Sequence, residues 1–354
     1  MSILFIGKRF YTNRDTYSEK FGRIYQLPYH WSKKIKTNLW LIDYHTKENI
    51  EDTDDQLEIS STAIFSFSFI LKLISIIMFE RPKTIIASGD CYIGLLGLII
   101  SKICFAKFIF DVYDKYNTFS GYKNFLGFNS YNFLLKKSDI CLFASNKLKN
   151  DSTPLCKKTI LIPNGIDTNN FFPRDINTSR IDFNLNKEYI YIGYFGSMEE
   201  ERGIDDLIEA VKILRQQNIN VYILLSGKKR EGLNLNYEFI TYLGNIPFSK
   251  VPIAMACCDL LALPYRSSEF LNNASSCKIA EYIAMQIPIV ATKSSNIIYN
   301  FTLSEHATLN DFALANDVKS LCKTIIIQIK ERKIILNQSD IYHWSEISKK
   351  LFTS

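Results

Sequence analysis

The sequence is poor in the residues that mark unusual architectures. Its 354 residues include 9 prolines, 14 glycines and 4 histidines, and only 22% of them are charged. These amounts exclude collagen-like, low-complexity and largely disordered chains. The eight cysteines form no CxxC pair, which argues against a zinc ribbon or a thioredoxin-type site. They lie mostly in apolar runs, as reduced core thiols do, and this predicts a cytoplasmic protein.

The sequence also lacks a long, clean apolar run. Residues 64–79 are strongly apolar but contain Lys72, and residues 92–110 contain Lys102 and Lys107. A membrane-spanning helix needs about 20 predominantly apolar residues, so both runs are interpreted as buried core helices. The alternative is that the first run presents one face to a membrane surface. The first residues of the chain read directly as a strand rather than as a signal peptide.

Charge is distributed unevenly along the chain. The formal net charge is +6, and all of it falls in residues 1–170, which hold 22 basic and 16 acidic residues. An acidic stretch at 51–58 is predicted to be a loop and the start of a helix, and without its five acids this half carries +11. No dense basic run is present, so the excess favours anionic lipid or an anionic acceptor over nucleic acid. A plain solvated surface is the alternative.

Short apolar runs alternate with segments of helical spacing along most of the chain. In the first half the expected strands are 3–6, 39–43, 84–87, 107–110, 140–144 and 159–162. In the second half they are 189–195, 221–226, 240–243, 260–264 and 287–292. Such alternation predicts βαβ units and parallel sheets.

A polar, irregular segment at 169–186 interrupts the alternation and is predicted to link two domains, 1–168 and 187–335. The predicted fold class is therefore α/β, with two doubly wound Rossmann-like domains facing a cleft. In sheets of this kind ligands bind beyond the carboxyl ends of the strands. The chemistry is expected on the loops that follow those ends.

Two sequence blocks combine strand ends with residues suited to binding. In IPNGID (162–167) a strand runs into a turn at Asn164 and Gly165, both of which tolerate the positive φ of a tight reversal. Further on, Gly196 ends a strand and Arg202 precedes a helix. A glycine lets a ligand approach the backbone, and a guanidinium beside a helix N-terminus suits a diphosphate.

The third block has the most specific pattern. A strand in DLLALPY (259–265) ends in a loop of small polar residues that feeds a helix predicted at 277–285. Backbone amides from Ser275 to Lys278 can hold phosphate oxygens, and the Lys278 ammonium adds positive charge. Glu281 follows about one turn later, where its carboxylate can accept two hydrogen bonds from a ribose diol.

Taken in order, these blocks resemble the retaining glycosyltransferases of family 4, which have the GT-B fold. The resemblance covers most of the chain and includes GSMEEERGIDDLIEA, YLGNIP, DLLALPY, KIAEYIAM and PIVAT. Trp344 is similar to the tryptophan of a C-terminal helix, here about 340–354, that crosses back to the N-terminal domain. The resemblance implies transfer of a hexose-type sugar, with retention, from a nucleoside-diphosphate sugar to a hydroxyl of a glycan or lipid-linked glycan. It also implies surface polysaccharide synthesis without a metal or other cofactor.

The resemblance also implies where the functional residues lie. The expected catalytic residues are Asp111, Asp114, Arg202 and Lys278. The expected donor-binding residues are Gly196, Ser197, Arg202, Gly227, Gly244, Asn245, Ile246, Asn273, Ala274, Ser275, Ser276, Cys277, Lys278 and Glu281. The expected acceptor-binding residues are Gly7, Ser88, Gly89 and Asp90. No metal ligands are expected.

Two positions depart from the family pattern. The family pairs two glutamates eight residues apart; the second matches Glu281, but the first position is Asn273, which can hydrogen-bond a sugar hydroxyl without charge. Ser197 stands where the family often has arginine, so Lys278 is expected to supply the compensating charge. These losses leave open a non-catalytic GT-B scaffold that binds nucleotide or glycan. A GT-B epimerase or phosphorylase is a weaker alternative, since nothing in the sequence indicates a lysine-bound pyridoxal phosphate.

The aspartates of the N-terminal half are also ambiguous. Asp111 and Asp114 follow a strand where many relatives have a His-Asp pair, and they could anchor sugar or acceptor hydroxyls. Helix caps and turn residues are the equally weighted alternative. The expected partners are the nucleotide-sugar donor, the glycan acceptor and anionic lipid at the inner face of the cell membrane, with no nucleic acid.

Overall fold

The structure is a computed structural model that describes residues 2–11, 14–46, 48–119, 122 and 127–353. The chain divides into two compact units. Unit 1 contains Met1–Gly165, Asn273–Ser275 and His343–Ser354, and unit 2 contains Ile166–Asn272 and Ser276–Tyr342. Each unit has its own hydrophobic core.

Unit 1 is built on a mostly parallel sheet. Its strands are β1 (Ser2–Lys8), β2 (Phe10–Tyr11), β3 (Arg14–Asp15), β4 (Lys36–Asp43), β5 (Ile50–Asp54), β6 (Leu57–Ala63), β7 (Thr84–Ser88), β8 (Lys107–Val112), β9 (Ile140–Phe143) and β10 (Thr159–Leu161). Among the described residues, eight of them form one sheet in the order β10-β9-β8-β7-β1-β4-β6-β5, while β2 and β3 pair separately. Only β5 runs antiparallel to its neighbour in the large sheet.

Helices cover both faces of this sheet. They are α1 (Gly22–Ser32), α2 (Phe67–Ser75), α3 (Cys91–Ile103), α4 (Ser130–Lys137) and α5 (Asn146–Ser152), and a π-helical turn, Ile76–Glu80, continues α2. The central strand β1 is buried from Ile3 to Ile6, as expected for a parallel strand covered on both faces. The carboxyl ends of β1, β7 and β8 place Gly7, Ser88 and Asp111 at one edge of the sheet.

The prediction of a loop and helix start at 51–58 is wrong. The chain forms β5 there, turns at Asp55 with φ 57°, and enters β6. The acids remain on the sheet because neighbouring groups hold them. Tyr17 donates to Asp52 at 2.7 Å, and Lys36 pairs with Glu58 at 3.4 Å. The paired groups offset the low strand propensity of Asp and Glu.

Unit 2 contains a second, smaller parallel sheet. Its strands are β11 (Ile190–Phe195), β12 (Val221–Ser226), β13 (Ile240–Tyr242), β14 (Leu260–Leu263) and β15 (Ile289–Ala291). Their order is β13-β12-β11-β14-β15. The helices are α6 (Ile176–Asp182), α7 (Ile204–Gln216), α8 (Val251–Ala256), α9 (Glu269–Asn273), α10 (Cys277–Ala284), α11 (Ser295–Ile298) and α12 (Val318–Glu331).

The range predicted as an irregular linker, 169–186, contains α6. Arg180 of this helix is buried, and its guanidinium donates to Asp259 at 2.6 Å and to the Cys257 carbonyl at 2.9 Å. These bonds pack the segment into unit 2 as a structural helix. The polar composition of the segment does not predict a helix, because α6 is held in place by one buried arginine rather than by an apolar stripe.

The chain ends with α13 (Trp344–Ile347) and α14 (Lys350–Thr353), which belong to unit 1. Trp344 and Ile347 join the unit 1 core, and Trp31 donates to the Ser348 carbonyl at 2.8 Å. The prediction that Gly165 serves a positive-φ turn is wrong, because neither it nor Asn164 has positive φ. A Cβ at Gly165 would instead lie 2.7 Å from the Trp344 indole, so the glycine makes room for α13.

The apolar runs at 64–79 and 92–110 form α2 and α3 but are only partly buried. Phe69 and Ile76 face the core, whereas Phe67, Ile70 and Ile74 are exposed. Within the described residues, no helix combines the length and hydropathy needed to cross a bilayer. All eight cysteines are free thiols, five of them buried.

The centre of unit 1 is a buried ion pair between α1 and β8. Arg23 and Asp111 are both 0% exposed, and the guanidinium donates to the carboxylate at 2.6 and 3.0 Å. Its remaining amino group donates to the Ile162 carbonyl at 2.7 Å and to Asn164 Oδ1 at 3.2 Å. Ser88 donates to Asp111 at 2.7 Å. The hydrogen-bond partners of both charged groups therefore come from other segments of unit 1.

Replacing Arg23 with alanine should destabilise unit 1 strongly, because it leaves the Asp111 charge buried without its partner. We expect the free energy of unfolding to fall by about 3–5 kcal/mol. Urea unfolding followed by tryptophan fluorescence measures this for unit 1 alone, since all three tryptophans lie there. They are Trp31, Trp40 and Trp344.

Arg14→Ala is the matched control in the same unit. Arg14 pairs with Glu19 at 2.8 Å, and both side chains are partly exposed. Its loss should lower the free energy of unfolding by no more than about 1 kcal/mol. Equal effects of the two substitutions would contradict the central role of the buried pair.

Candidate active site

Three predicted donor-binding glycines end neighbouring strands of unit 2. Gly196, Gly227 and Gly244 follow β11, β12 and β13. The Gly196 amide donates to the Ser226 carbonyl at 2.8 Å, and the Gly227 amide donates to the Gly244 carbonyl at 2.8 Å. The structure therefore brings these glycines together at the carboxyl edge of the sheet, where open α/β sheets bind ligands.

Three glycines of this region leave no room for a side chain. A Cβ at Gly227 would lie 2.2 Å from the Gly196 carbonyl oxygen, and one at Gly196 would lie 2.4 Å from Lys278 Nζ. A Cβ at Gly203, which precedes α7, would lie 1.8 Å from the Pro264 carbonyl oxygen. The strand ends are therefore packed closely against one another and against Lys278.

The Lys278 ammonium lies against the end of β11. Its Nζ donates to the Tyr194 hydroxyl at 2.9 Å and lies 4.0 Å from the centre of that ring. The same hydroxyl donates to the Ser197 carbonyl at 2.8 Å. Burial raises the pKa of Tyr194 far above its usual value, so the hydroxyl stays protonated. The neutral Tyr194 hydroxyl therefore orients the Lys278 ammonium without itself neutralising that charge.

Arg202 is the second cation at this edge. It is half-buried, and its guanidinium lies 5.3 Å from the Tyr265 ring centre and 5.8 Å from that of Phe270. Burial lowers its pKa, but Tyr265, Tyr194 and Glu201 nearby outweigh this and raise the pKa above its usual value. The Arg202 Nε is buried and has no hydrogen-bond partner among the described residues.

The acids at the start of α7 are neutralised locally. Asp206 accepts from Arg266 at 2.6 and 2.9 Å, and Asp205 accepts from Arg230 at 2.8 Å. Two carboxylates near Arg202 would otherwise oppose the binding of an anion. Each of these two carboxylates has an arginine of its own, which reduces their opposition to an anion.

Sequence reasoning missed the tyrosines that support this edge. Tyr194 holds Lys278, and the Tyr282 hydroxyl accepts a hydrogen bond from the Phe195 amide at 3.1 Å. Tyr265 packs beneath Arg202 and is completely buried. The sequence does contain a signal for them, because each tyrosine stands in an otherwise apolar segment. A tyrosine that is buried in such a segment usually finds a polar partner for its hydroxyl.

The helix α10 begins at Cys277, as predicted, and carries Lys278 and Glu281 one turn apart. Ser276 precedes it in an extended conformation and does not cap it with its side chain. The helix dipole adds partial positive charge at this end. Asn245 and Ile246 follow Gly244, Asn245 being exposed and Ile246 packing on the unit 2 core.

Three predicted donor-binding residues are in the other unit. Asn273, Ala274 and Ser275 belong to unit 1 and are buried. The Asn164 amide nitrogen donates to the Ser275 carbonyl at 2.5 Å. This bond fixes the segment just before α10.

The structure corrects the prediction that Asp111 is catalytic. Both of its carboxylate oxygens accept bonds from Arg23, one of them also from Ser88, and the residue is 0% exposed. It cannot touch a substrate in this arrangement, and Ser88, also 0% exposed, is likewise occupied. Both stabilise unit 1 rather than contact an acceptor.

The remaining predicted residues of unit 1 lie close to the same edge. Asp114 accepts from the buried Tyr11 hydroxyl. Asp90 caps α3 through the Ile93 amide at 2.9 Å and pairs with Lys8 at 3.5 Å. Asp114 is therefore held by a tyrosine from another segment, and Asp90 serves as a helix cap and an ion-pair partner.

The two glycines predicted for the acceptor have different roles. A Cβ at Gly7 would lie 2.4 Å from Ile24 Cγ2, so helix α1 fills the space beside this glycine. The prediction that Gly7 contacts the acceptor is therefore corrected. Gly89 has φ 114°, which favours glycine, and its amide donates to the Tyr116 hydroxyl at 2.9 Å. No cluster of three or more His, Cys, Asp or Glu side chains suited to a metal ion occurs among the residues described.

Comparison with known proteins finds a family model that matches part of unit 2. A family model described as "Glycosyl transferases group 1" matches residues 189–329. This match supports a glycosyl transferase domain and includes Gly196, Arg202, Lys278 and Glu281. No curated protein gave a significant match to the sequence.

Solved structures with a similar fold cover nearly the whole chain. HepE from Anabaena, in complex with UDP and glucose, is 18% identical over 99% of this chain and 98% of its own, with a TM-score of 0.72. Sucrose-phosphate synthase from Thermosynechococcus elongatus is 13% identical over 99% and 94%, with a TM-score of 0.69. The catalytic domain of starch synthase IV from Arabidopsis thaliana, bound to ADP and acarbose, is 12% identical over 99% and 95%, with a TM-score of 0.68. These likenesses confirm the predicted GT-B fold.

Gly203→Ala should destabilise unit 2 more than Gly244→Ala. Both glycines have φ 69°, so each alanine carries a conformational penalty of about 1–2 kcal/mol. Only the Cβ at 203 meets another atom, since nothing lies within 4 Å of one at 244. Melting followed by circular dichroism, with hydrogen exchange of α7, measures the difference. Equal melting temperatures for the two variants would contradict this steric account.

Proposed function

We propose that the protein is a retaining glycosyltransferase that moves a hexose-type sugar from a nucleoside-diphosphate sugar to a hydroxyl of a glycan or lipid-linked glycan. One observation carries the proposal. Two cations follow the glycine-lined strand edge: Lys278 contacts the Tyr194 hydroxyl, and Arg202 lies over the Tyr265 ring. The group 1 family match over this unit supports it. So do the similar folds that were solved with UDP or ADP.

The two cations are assigned to the diphosphate of the donor. Negative charge grows on the leaving diphosphate as the sugar departs, and preorganised cations stabilise that charge most in the transition state. Lys278 is held at the carbonyl-rich end of β11, next to Ser197, where family relatives often carry an arginine. We infer that Lys278 replaces that arginine, and that this charge, with the α10 N-terminus, serves in place of a metal ion.

Glu281 is assigned to the donor ribose and Asn273 to a sugar hydroxyl. Glu281 lies one helical turn beyond Lys278, so a nucleotide whose phosphates meet Lys278 places its ribose near the carboxylate. A charged acceptor binds the two hydroxyls of a ribose more strongly than a neutral one.

In unit 1 we assign acceptor contacts to Gly89, Asp90 and Asp114, which lie near the carboxyl ends of β7 and β8. Asp111 and Ser88 hold that edge in place. We propose a place at the cytoplasmic face of the cell membrane and a role in surface polysaccharide synthesis, in line with the family resemblance.

Lys278→Ala should slow transfer and Ser197→Arg should restore it in that background. Losing a charged contact to phosphate should weaken UDP binding by about 1.5–3 kcal/mol, with a further loss in turnover. The measurement is hydrolysis of a panel of UDP-, GDP- and ADP-sugars together with UDP affinity. The restored arginine should recover both quantities, because it returns a cation to the end of β11.

Lys319→Ala is the matched control, since Lys319 is an exposed lysine of α12. It should change neither quantity. Binding of a nucleotide sugar without any hydrolysis by the native protein would favour the non-catalytic scaffold. Full turnover of Lys278→Ala at saturating donor would contradict the role of Lys278.

Glu281→Ala should weaken nucleotide binding and leave pyrophosphate binding unchanged, because pyrophosphate has no ribose. The expected loss for UDP is about 1.5–3 kcal/mol. Calorimetric titration with UDP and with pyrophosphate separates this effect from that of Lys278→Ala, which should weaken both ligands. Glu209→Ala, on the exposed side of α7, is the control. An unchanged UDP affinity in the Glu281 variant would remove the assignment.

A further inference from the structure

Two helices of unit 1 turn apolar side chains toward solvent. On α2 and the turn that continues it, the outward positions are Phe67, Ile70, Leu71, Ile74 and Met78, all exposed. On α3 the corresponding positions are Tyr92, Ile99 and Ile103. Both sets follow helical spacing, so each helix presents an apolar stripe on the side that an ordinary surface helix keeps polar. Exposed apolar patches of this kind mark interaction sites.

The two stripes lie on the same face of the sheet. Ile6 of β1 is in register with Trp40 of β4 and with Ala87 of β7, so the three side chains point the same way. The Trp40 ring lies 5.2 Å from the ring of Phe69 in α2. A Cβ at Gly97 in α3 would lie 2.8 Å from the Ala87 Cβ. Both helices therefore pack on this face, and their outer sides share one surface.

A row of lysines borders this surface at the amino edge of the sheet. The strands β7, β8, β9 and β10 are neighbours; β7, β8 and β10 begin at or just after an exposed lysine, and two exposed lysines end α4, shortly before β9. The lysines are Lys83, Lys107, Lys136, Lys137 and Lys158. None of these five forms an ion pair with a residue that the structure describes. Asp139, an acid at this edge, is already paired with Lys157 at 3.2 Å.

Two phenylalanines mark the place where the stripes meet the lysine row. The Lys107 amide donates to the Lys83 carbonyl at 3.0 Å, which joins the ends of the two helical segments. Phe79 and Phe105, just before these lysines, are 81% and 94% exposed. Phe105 has φ 53°, a conformation that bulky residues rarely adopt. The backbone thus holds a large aromatic side chain outward beside basic groups.

We propose that this basic–aromatic surface, formed by the two apolar stripes and the lysine row, docks unit 1 on an anionic lipid bilayer. Phe79 and Phe105 enter the interfacial region, and the lysines contact lipid phosphates. Apolar side chains flanked by unpaired lysines have the composition of an interfacial anchor. The inference goes beyond the proposed sugar transfer, because it stands on unit 1 alone and would hold whatever the donor site binds.

A second copy of the chain fits this surface less well than lipid. Most homodimers pair the same patch across a two-fold axis. Such pairing would bring lysine rows of like charge together without acids to neutralise them, which opposes association. A layer of anionic headgroups supplies the missing negative charge.

The test is co-sedimentation of the full chain with phosphatidylcholine vesicles that contain or lack phosphatidylglycerol. We expect binding only when phosphatidylglycerol is present, and loss of binding at high salt. Lys83→Ala with Lys107→Ala should weaken the partition about thirtyfold, because each basic residue near an anionic surface contributes a factor of about five. Phe79→Ser with Phe105→Ser should weaken it about tenfold or more without changing the charge.

Matched controls come from unit 2. Ile181→Ser with Leu314→Ser removes two exposed apolar side chains, and Lys319→Ala with Lys323→Ala removes two exposed lysines of α12. Both pairs should leave the partition unchanged. Tryptophan fluorescence and UDP affinity, both measured without vesicles, should be the same in every variant. A loss of lipid binding is then distinguished from unfolding and from a loss of nucleotide binding.

Three outcomes would overturn the proposal. The first is no sedimentation with anionic vesicles at low salt. The second is binding that persists in both double variants of the surface. The third is a dimer in the absence of lipid, seen by light scattering, that becomes monomeric in the double phenylalanine variant. That result would assign the surface to a second copy of the chain.

Discussion

A guanidinium that is completely removed from water must be given a partner at each of its donors, and in unit 1 this requirement organises the fold. Arg23 draws its acceptors from β8 and from the segment after β10, where it fixes the Ile162 carbonyl and the Asn164 side chain. Asn164 in turn holds the Ser275 carbonyl, immediately before α10. One buried cation thus determines where several loops run. Asp111 and Asn164, which resemble substrate-site residues in the sequence, instead accept hydrogen bonds from this buried guanidinium.

The carboxyl edge of the unit 2 sheet follows a different rule. Its cations lie against phenols, while the acids of α7 are bound by separate arginines. The Tyr194 hydroxyl orients the Lys278 ammonium by a hydrogen bond and, being neutral, takes none of its charge. A buried phenol can thus fix the direction of a cation at the edge where the proposed anionic ligand binds.

The alternation of apolar runs was enough to predict two parallel α/β sheets, because strand burial and helical spacing are local properties of the sequence. Predictions that depended on partners far along the chain were less successful. The acids at 51–58 form strands since tyrosines and a lysine from other segments hold them, and Gly165 serves Trp344 rather than a turn. Asp111 has the spacing of a site residue but is occupied by Arg23, 88 residues earlier in the chain.

The crowding at Gly196, Gly203 and Gly227 has a consequence for how such a protein can diverge. Gly203 and Gly227 are blocked by backbone atoms, and all three glycines have a positive φ, so a side chain at any of them is strained. Gly244 and Asn245, beside the same edge, have open space or exposure. Single substitutions can therefore remodel the periphery of the edge while its centre stays as it is. Descendants of this chain would be expected to change ligand preference at the rim and to keep the same backbone cradle.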